Sequence, residues 1–194
     1  VEILRGNPDL GAAGHRALDR IDRAVRDMRE LVDAFLLLAR ESGTELEQEW
    51  LPVNELVETE LDRARLTLPE TRASFEADGR LYVRAPRQVL ASLIGNLVRN
   101  ALSHAAEGQV RIRLAADALL IEDSGAGMEP EELARAFDPF FRGGSGAADG
   151  HGVGLTIVRR LSDRFGWPVE IDSTPGVGTR VRIRFPEGDF RPGP

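Results

Sequence analysis

"ALLIEDSGAGMEPEEL", residues 118–133, runs from an apolar stretch onto one acid, Asp123, and then into a turn with two glycines before a charged, helix-like segment begins. A short apolar run bounded by turn signals reads as a buried strand. A strand that ends on a carboxylate and is followed by positions without side chains leaves room for a group to come close to the backbone. On either side the texture is mixed. Upstream, "EQEWLPV" reads as a short strand, "NELVETELDRARLTL" as an amphipathic helix opening on Asn54, and "ASFEA" and "LYVR" as a strand pair around Asp78-Gly79. "PRQVLASLIGNLVRNALSHAA" reads as a long helix with Pro86 at its first turn, and "QVRIRLAA" as the strand before the opening stretch. Downstream come a glycine-rich loop, a helix from about Val153 to Phe165, the strands "PVEIDS" and "TRVRIRF", and "DFRPGP" as a loose tail. Strands and helices mix without strict alternation. The class is α+β, a sheet with helices on one face.

The totals narrow the function. All 25 basic residues among the 194 are Arg, so no Walker-type lysine is available and a P-loop is excluded. A net charge of −7 repels phosphate backbones and argues against nucleic acid as a partner. With no Cys there are neither disulfides nor thiolate metal sites. The longest apolar candidate, around "FLLLA" at 35–39, is far short of the roughly 20 residues of a membrane helix. The chain opens on "VEILRGNPDL", without Met or a signal-peptide pattern, as the inside of a longer protein would.

Residues 1–44 differ from the rest. Leu18, Ile21, Val25, Met28, Val32, Phe35 and Ala39 recur in steps of three and four, a heptad seam over about 14–42, with mixed charge on the opposite face. It reads either as one amphipathic helix on its own domain or as half of a helical hairpin in a dimeric bundle.

On the long helix Asn96 and Asn100 lie four apart on one face, and His104 follows one turn later. Amides beside so much apolar bulk need polar partners, in the simplest case caps or inter-helix bonds. The chain then carries D-x-G-x-G at Asp123, Gly125 and Gly127; an aromatic box of Phe137, Phe140 and Phe141 running into Arg142; "GHGVGL" at 150–155; and "TPGVGT" ending at Thr179. Each cluster alone reads as a turn. In this order they resemble the GHKL ATPases, and most closely the catalytic core of bacterial sensor histidine kinases, over roughly residues 46–186.

The resemblance implies a Bergerat fold, a two-layer α/β sandwich at residues 45–188, followed by the tail 189–194 and preceded by the second helix of a dimerisation and histidine-phosphotransfer hairpin. It implies ATP and Mg2+ as cofactors. Asp123 takes the part of acceptor for the adenine amine, with Gly125 and Gly127 giving the base access, Met128 supplying apolar contact, and Thr179 joining through water. Asn100 matches the magnesium ligand. The segment "RGGSGAADGHG" matches the ATP lid, with Arg142 a candidate for the γ-phosphate, and with Gly150, His151, Gly152, Val153, Gly154 and Leu155 bordering the phosphates. His151 and Arg142 also read as ordinary exposed loop residues, and His104 either as a group near the phosphates or as a packed histidine. Phe137 belongs to the aromatic box near the nucleotide.

Two departures matter. Hydrolytic GHKL enzymes carry a glutamate general base where this chain has Asn96, an amide unable to take a proton, so transfer is favoured over hydrolysis. The family's acceptor His, followed by an acid and a proline, matches none of His15, His104 or His151, and is expected about three turns of helix upstream of Val1. The implied reaction is transfer of the ATP γ-phosphoryl group to that His and on to the receiver Asp of a response regulator. It would be performed by a homodimer joined through the hairpin helices, on the cytoplasmic side of an inner-membrane sensor held only by upstream regions. The alternatives are a hydrolytic GHKL ATPase or serine protein kinase, and a nucleotide-binding regulatory module without phosphotransfer.

Overall fold

The structure, a computed structural model, describes residues 47–67, 72–105, 108–141, 143 and 152–193, together with 11, 14, 17, 18, 21 and 25. The chain divides into two compact units, Val1–Thr44 and Glu45–Pro194. In the first, residues 14, 17, 18, 21 and 25 are helical, with Leu18 buried and Ile21 and Val25 exposed. The rest of the heptad seam, and His15 with it, lies outside the described residues.

The second unit runs β1 (Glu49–Pro52), α1 (Val53–Thr67), β2 (Arg72–Ala77), β3 (Gly79–Ala85), α2 (Arg87–Ala105), β4 (Gln109–Ala115) and β5 (Ala118–Asp123). It continues with α3 (Pro130–Leu133), α4 (Gly154–Phe165), β6 (Val169–Thr174), β7 (Gly178–Arg184) and β8 (Asp189–Pro192). Five strands form a mixed sheet in the order β2-β4-β5-β7-β6, in which only β2 and β4 run parallel. Alternation is clean along its central strands. Val110, Ile112 and Leu114 of β4, Leu119 and Ile121 of β5, and Val181 and Ile183 of β7 are buried, while Arg111, Arg113, Arg180 and Arg182 between them are exposed. On the buried face α2 packs across β4, β5 and β7, and α1 and α4 pack against α2. The second layer is therefore helical, as the α+β reading expects.

Three local readings are corrected. The strands around Asp78-Gly79 do not pair with each other: β2 joins β4, whereas β3 joins β1 and β8 in a separate three-stranded sheet. Asp78 N–H donates to the Leu114 carbonyl at 3.0 Å, holding the end of β2 on the large sheet. At Gly79 a Cβ would collide with the Arg191 carbonyl, so glycine lets β8 come close there. Residues 189–192, expected as loose tail, are thus a paired strand, with Arg191 stacked 4.6 Å over the Tyr82 ring. Finally, α1 opens at Val53. Asn54 spends its amide on β3 instead, donating to the Gly79 carbonyl at 2.9 Å and accepting from Leu81 N–H at 3.1 Å.

The end of α4 follows the sequence signals. Gly166 adopts the left-handed conformation at φ 67°, and Trp167 N–H returns to the Ser162 carbonyl at 2.9 Å. Trp167 then stacks on Phe165 at 5.0 Å and meets the edge of buried Phe185 at 5.4 Å, closing the core beneath β6 and β7.

Candidate functional site

Asp123 is the last residue of β5 and faces the same side as Leu119 and Ile121, so the core row of the sheet ends on a carboxylate. Directly across from it on β7 is Thr179, and across from Thr179 on β6 is Ser173. Gly125 N–H donates to Asp123 Oδ1 at 2.9 Å, and the backbone N–H of Thr179 also bonds the carboxylate. Desolvation nonetheless raises the Asp123 pKa above the ordinary carboxylate value. The two backbone bonds and the nearby His104 only partly offset it. The carboxylate has lone pairs beyond those two backbone bonds.

The glycines after Asp123 are required by contact. A Cβ on Gly125 would strike the His104 carbonyl, and Gly127, at φ 67°, would strike the Thr174 carbonyl. Gly178 is held as tightly against the backbone of Asp123. These approaches bind the β5 loop to the end of α2 on one side and to the β6–β7 hairpin on the other. Met128, half-buried in that loop, donates its N–H to Ser173 Oγ at 2.9 Å.

The Asn-Asn-His stripe of α2 connects this corner to a second one. Asn96 is only 4% exposed; it donates to the Ser92 carbonyl at 2.8 Å and accepts from Arg99 at 3.3 Å. Its Oδ1 lies 3.2 Å from where a Cβ would stand on Gly154, the first residue of α4. His104, two turns on, has Gly125 against its carbonyl and Asp123 near its ring. The residue is exposed by area, yet its ring is desolvated enough to lower its pKa, against the pull of the Asp123 charge, so the imidazole is neutral at neutral pH. Asn100, half-buried, occupies the turn between these ends.

The start of α4 is open to an anion. Val153 caps it without a side-chain bond, Ile157 N–H is the first to return to a carbonyl of the turn, at 3.0 Å to Val153, and no acidic residue lies in the first turn. The N–H groups of Gly154, Leu155 and Thr156 are thus without helical partners, at the positive end of the helix dipole. Thr156 Oγ1 donates to the Phe137 carbonyl at 3.1 Å, and Phe140 N–H to the Gly152 carbonyl at 2.9 Å, which ties the aromatic box to the foot of α4. At Gly152, with φ 71°, a Cβ would collide with the Phe141 carbonyl. Arg142, Gly150 and His151 lie outside the described residues.

Two groups near the site are not apparent from motif reading. Glu60 of α1 is 6% exposed, 2.6 Å from Arg63 and 4.0 Å from Arg99, the residue that holds Asn96. Gly95 admits it, since a Cβ there would stand 2.9 Å from Glu60 Oε2. Ser173 is the other. Its only sequence signal is its alternate position on the strand facing Thr179.

Residues 86–189 match the family model described as "Histidine kinase-, DNA gyrase B-, and HSP90-like ATPase". Among curated proteins the chain is 31% identical to the phosphate regulon sensor protein PhoR of Pseudomonas aeruginosa, over 94% of this chain and 44% of that protein. It is 30% identical to the sensor protein QseC of Escherichia coli, over 95% of this chain and 42% of QseC. The chain therefore spans less than half the length of these relatives. Among solved structures, the mycobacterial sensor histidine kinase MprB aligns with a TM-score of 0.63 at 24% identity, covering 75% of this chain and 99% of that one. Full-length ShkA in complex with AMPPNP aligns with a TM-score of 0.67 at 23% identity, covering 98% of this chain and 41% of that one. With a family model matching more than half its residues, and the same fold in both structures, this chain belongs to the histidine kinase-, DNA gyrase B- and HSP90-like ATPase family.

Proposed function

We propose that residues 45–188 are the ATP-binding catalytic core of a sensor histidine kinase, and that residues 1–44 carry part of the hairpin that presents the phosphate-accepting His. The observation that carries this reading is the α2 stripe, with Asn96 against the open start of α4 at one end and His104 beside Asp123 at the other. A nucleotide laid along it meets a carboxylate acceptor at the base end and free backbone donors at the phosphate end.

In this reading Asp123 accepts from the exocyclic amine of adenine and Thr179 flanks it, while Gly125, Gly127 and Met128 form the wall along the base. Gly152, Val153, Gly154 and Leu155 bring backbone N–H groups to the phosphates, which needs no lysine. Arg142, Gly150 and His151 complete the lid side. The donor set suits Mg2+. Among the described residues no cluster of three His, Asp or Glu could cage a metal, and Asn100 offers one amide oxygen, which fits a hard cation that takes most of its oxygens from phosphates and water. When bound, the ion neutralises charge on the phosphates. Asn96 holds no proton-accepting group, and Arg99 and Ser92 engage its amide, so the chain lacks a base for water at this position. Its own contribution is orientation of the triphosphate toward an acceptor.

The acceptor His, a homodimer through the hairpin, a response-regulator receiver as onward partner, and a cytoplasmic position in an inner-membrane sensor belong to the same proposal. The relatives named as sensor proteins and the AMPPNP complex of ShkA support it. Among the described residues no helix is long and apolar enough to cross a membrane. The test is to extend the chain upstream through the hairpin and incubate it with labelled Mg·ATP. Acid-labile, base-stable label on a His is expected; steady phosphate release without protein labelling would instead place the chain with the hydrolytic members.

A further inference from the structure

The amide of Asn96 has two partners of opposite sense. The Ser92 carbonyl, 2.8 Å away, only accepts and the Arg99 guanidinium, 3.3 Å away, only donates, so nitrogen faces the first and oxygen the second. That oxygen is also the atom that meets the start of α4, 3.2 Å from where a Cβ on Gly154 would stand. Arg99 is steered in turn from α1. Its Nη1 lies 4.0 Å from Oε2 of Glu60, whose other oxygen takes Arg63 at 2.6 Å, so two guanidinium groups divide one nearly buried carboxylate. Gly95 opens the slot between the helices: a Cβ there would stand 2.9 Å from Glu60 Oε2 and 3.0 Å from Arg99 Nη1. Contact thus passes from Glu60 through Arg99 and Asn96 to the first residue of α4.

We propose that Arg99, aimed by Glu60, is a positioning residue for the phosphate end of the cleft: it locks the Asn96 oxygen against Gly154 and so sets where the open N–H groups of α4 stand relative to Asn100. This rests on the nucleotide reading above and deepens it, by naming a pair on which recognition of the triphosphate depends and recognition of the base does not. The separation follows from the fold. The base end at Asp123 is met by α2 at His104, two turns beyond Asn96, whereas Glu60 and Arg99 act at Asn96. An amide held from one side alone swings in a broad torsional well. Bonds from backbone N–H groups to an anion depend on distance and angle, so donors resting against a swinging amide lose part of their hold.

The test is titration of Mg·ATP and of adenosine into folded chains. Arg99→Met should weaken Mg·ATP about tenfold, the worth of one hydrogen bond to a charged group, and adenosine by less than about twofold. Glu60→Gln, which keeps the shape and drops the charge, should follow the same pattern at about threefold. Gly95→Ala displaces the Glu60 carboxylate without removing any charge, and alanine favours the helix, so its expected loss of about threefold in Mg·ATP affinity is not an effect of unfolding. In an Asn96→Ala background Arg99→Met should weaken Mg·ATP no further, because the path to α4 is already cut. A further loss there would make Arg99 a direct phosphate contact or a general prop, and equal weakening of both ligands by Arg99→Met would make it a structural residue; either result overturns the proposal. If Arg99→Met does not fold, Gly95→Ala decides, and unchanged Mg·ATP affinity in it overturns the proposal. Wild type that binds neither ligand refutes the nucleotide reading beneath; wild type that binds both, with their ratio unchanged by Arg99→Met, refutes this proposal alone.

Discussion

Asp123→Asn tests the site at its most exacting point, because the substitution keeps the shape of the side chain and changes only its hydrogen-bonding sense. In the wild type the carboxylate already serves Gly125 N–H at 2.9 Å and the N–H of Thr179, and still has lone pairs for a ligand. Asparagine has one acceptor oxygen for those backbone donors, and its NH2 must face either a backbone N–H or the incoming amine. Losing one charge-assisted bond costs about 1.5–3 kcal/mol, and opposing two donors adds to it. A total near 3 kcal/mol corresponds to roughly a hundredfold loss of affinity. Titration of Mg·ATP into folded wild-type and Asn chains measures it directly. An Asn variant that binds within threefold of wild type would refute the assignment.

The same variant carries a pH signature. Asp123 has a raised folded pKa, so the empty fold takes up a proton more readily than the unfolded chain does. Its contribution to stability is fully present below the unfolded carboxylate value and is lost as pH rises through the folded one. Across that window acidification stabilises the empty chain while it removes the acceptor the ligand needs, so the melting temperature and the ATP affinity respond in opposite directions. His104 is shifted the other way: its contribution is present above the ordinary His value and lost as pH falls through the lowered one. Subtracting the Asp123→Asn curve from wild type leaves the titration of the acid together with the His104 shift its charge causes, and above both groups' ordinary and folded pKa values the difference should level off at a constant.

Asn100→Ala should abolish the dependence of ATP affinity on Mg2+ while leaving adenosine binding within about twofold, read by titrations with and without EDTA; an intact metal dependence would move the ligand elsewhere. Gly127→Ala places a methyl against the Thr174 carbonyl at φ 67° and should cost about 1–3 kcal/mol in urea unfolding. Glu60→Ala removes a carboxylate that lies almost buried 2.6 Å from Arg63 and should cost about 1 kcal/mol in urea unfolding, a small figure because the Arg63 side chain is largely in water. Ending the chain after Gly188 removes β8 and bares one edge of β3, and should lower the melting temperature by a few degrees, about 2–4 °C per kcal/mol lost. No change in melting would mean that this pairing contributes nothing in solution.

Much of the large sheet was legible because its strands bury one face only. "QVRIRLAA", "ALLIED" and "TRVRIRF" alternate strictly or run apolar, and each appears as a strand with the expected face buried. The Asn pair, the Asp123 turn and the glycine clusters were legible as spacing. What was missed depends on contacts between distant segments. Asp78-Gly79 has the composition of a hairpin turn, yet partners as far away as Leu114 and Arg191 draw its flanking strands into different sheets. "DFRPGP" is too polar and short to read as a strand, and gains order only from the β3 edge. Glu60 reads as one more charge on a solvated helix until Gly95 on α2 makes space for it. Ser173 has no motif of its own.

The bond from Phe140 N–H to the Gly152 carbonyl joins the two feet of the segment between them. With the Thr156 hydroxyl on the Phe137 carbonyl as a second tie, the aromatic box and the start of α4 are held together at two points, so a substitution that loosens one is expected to shift the other.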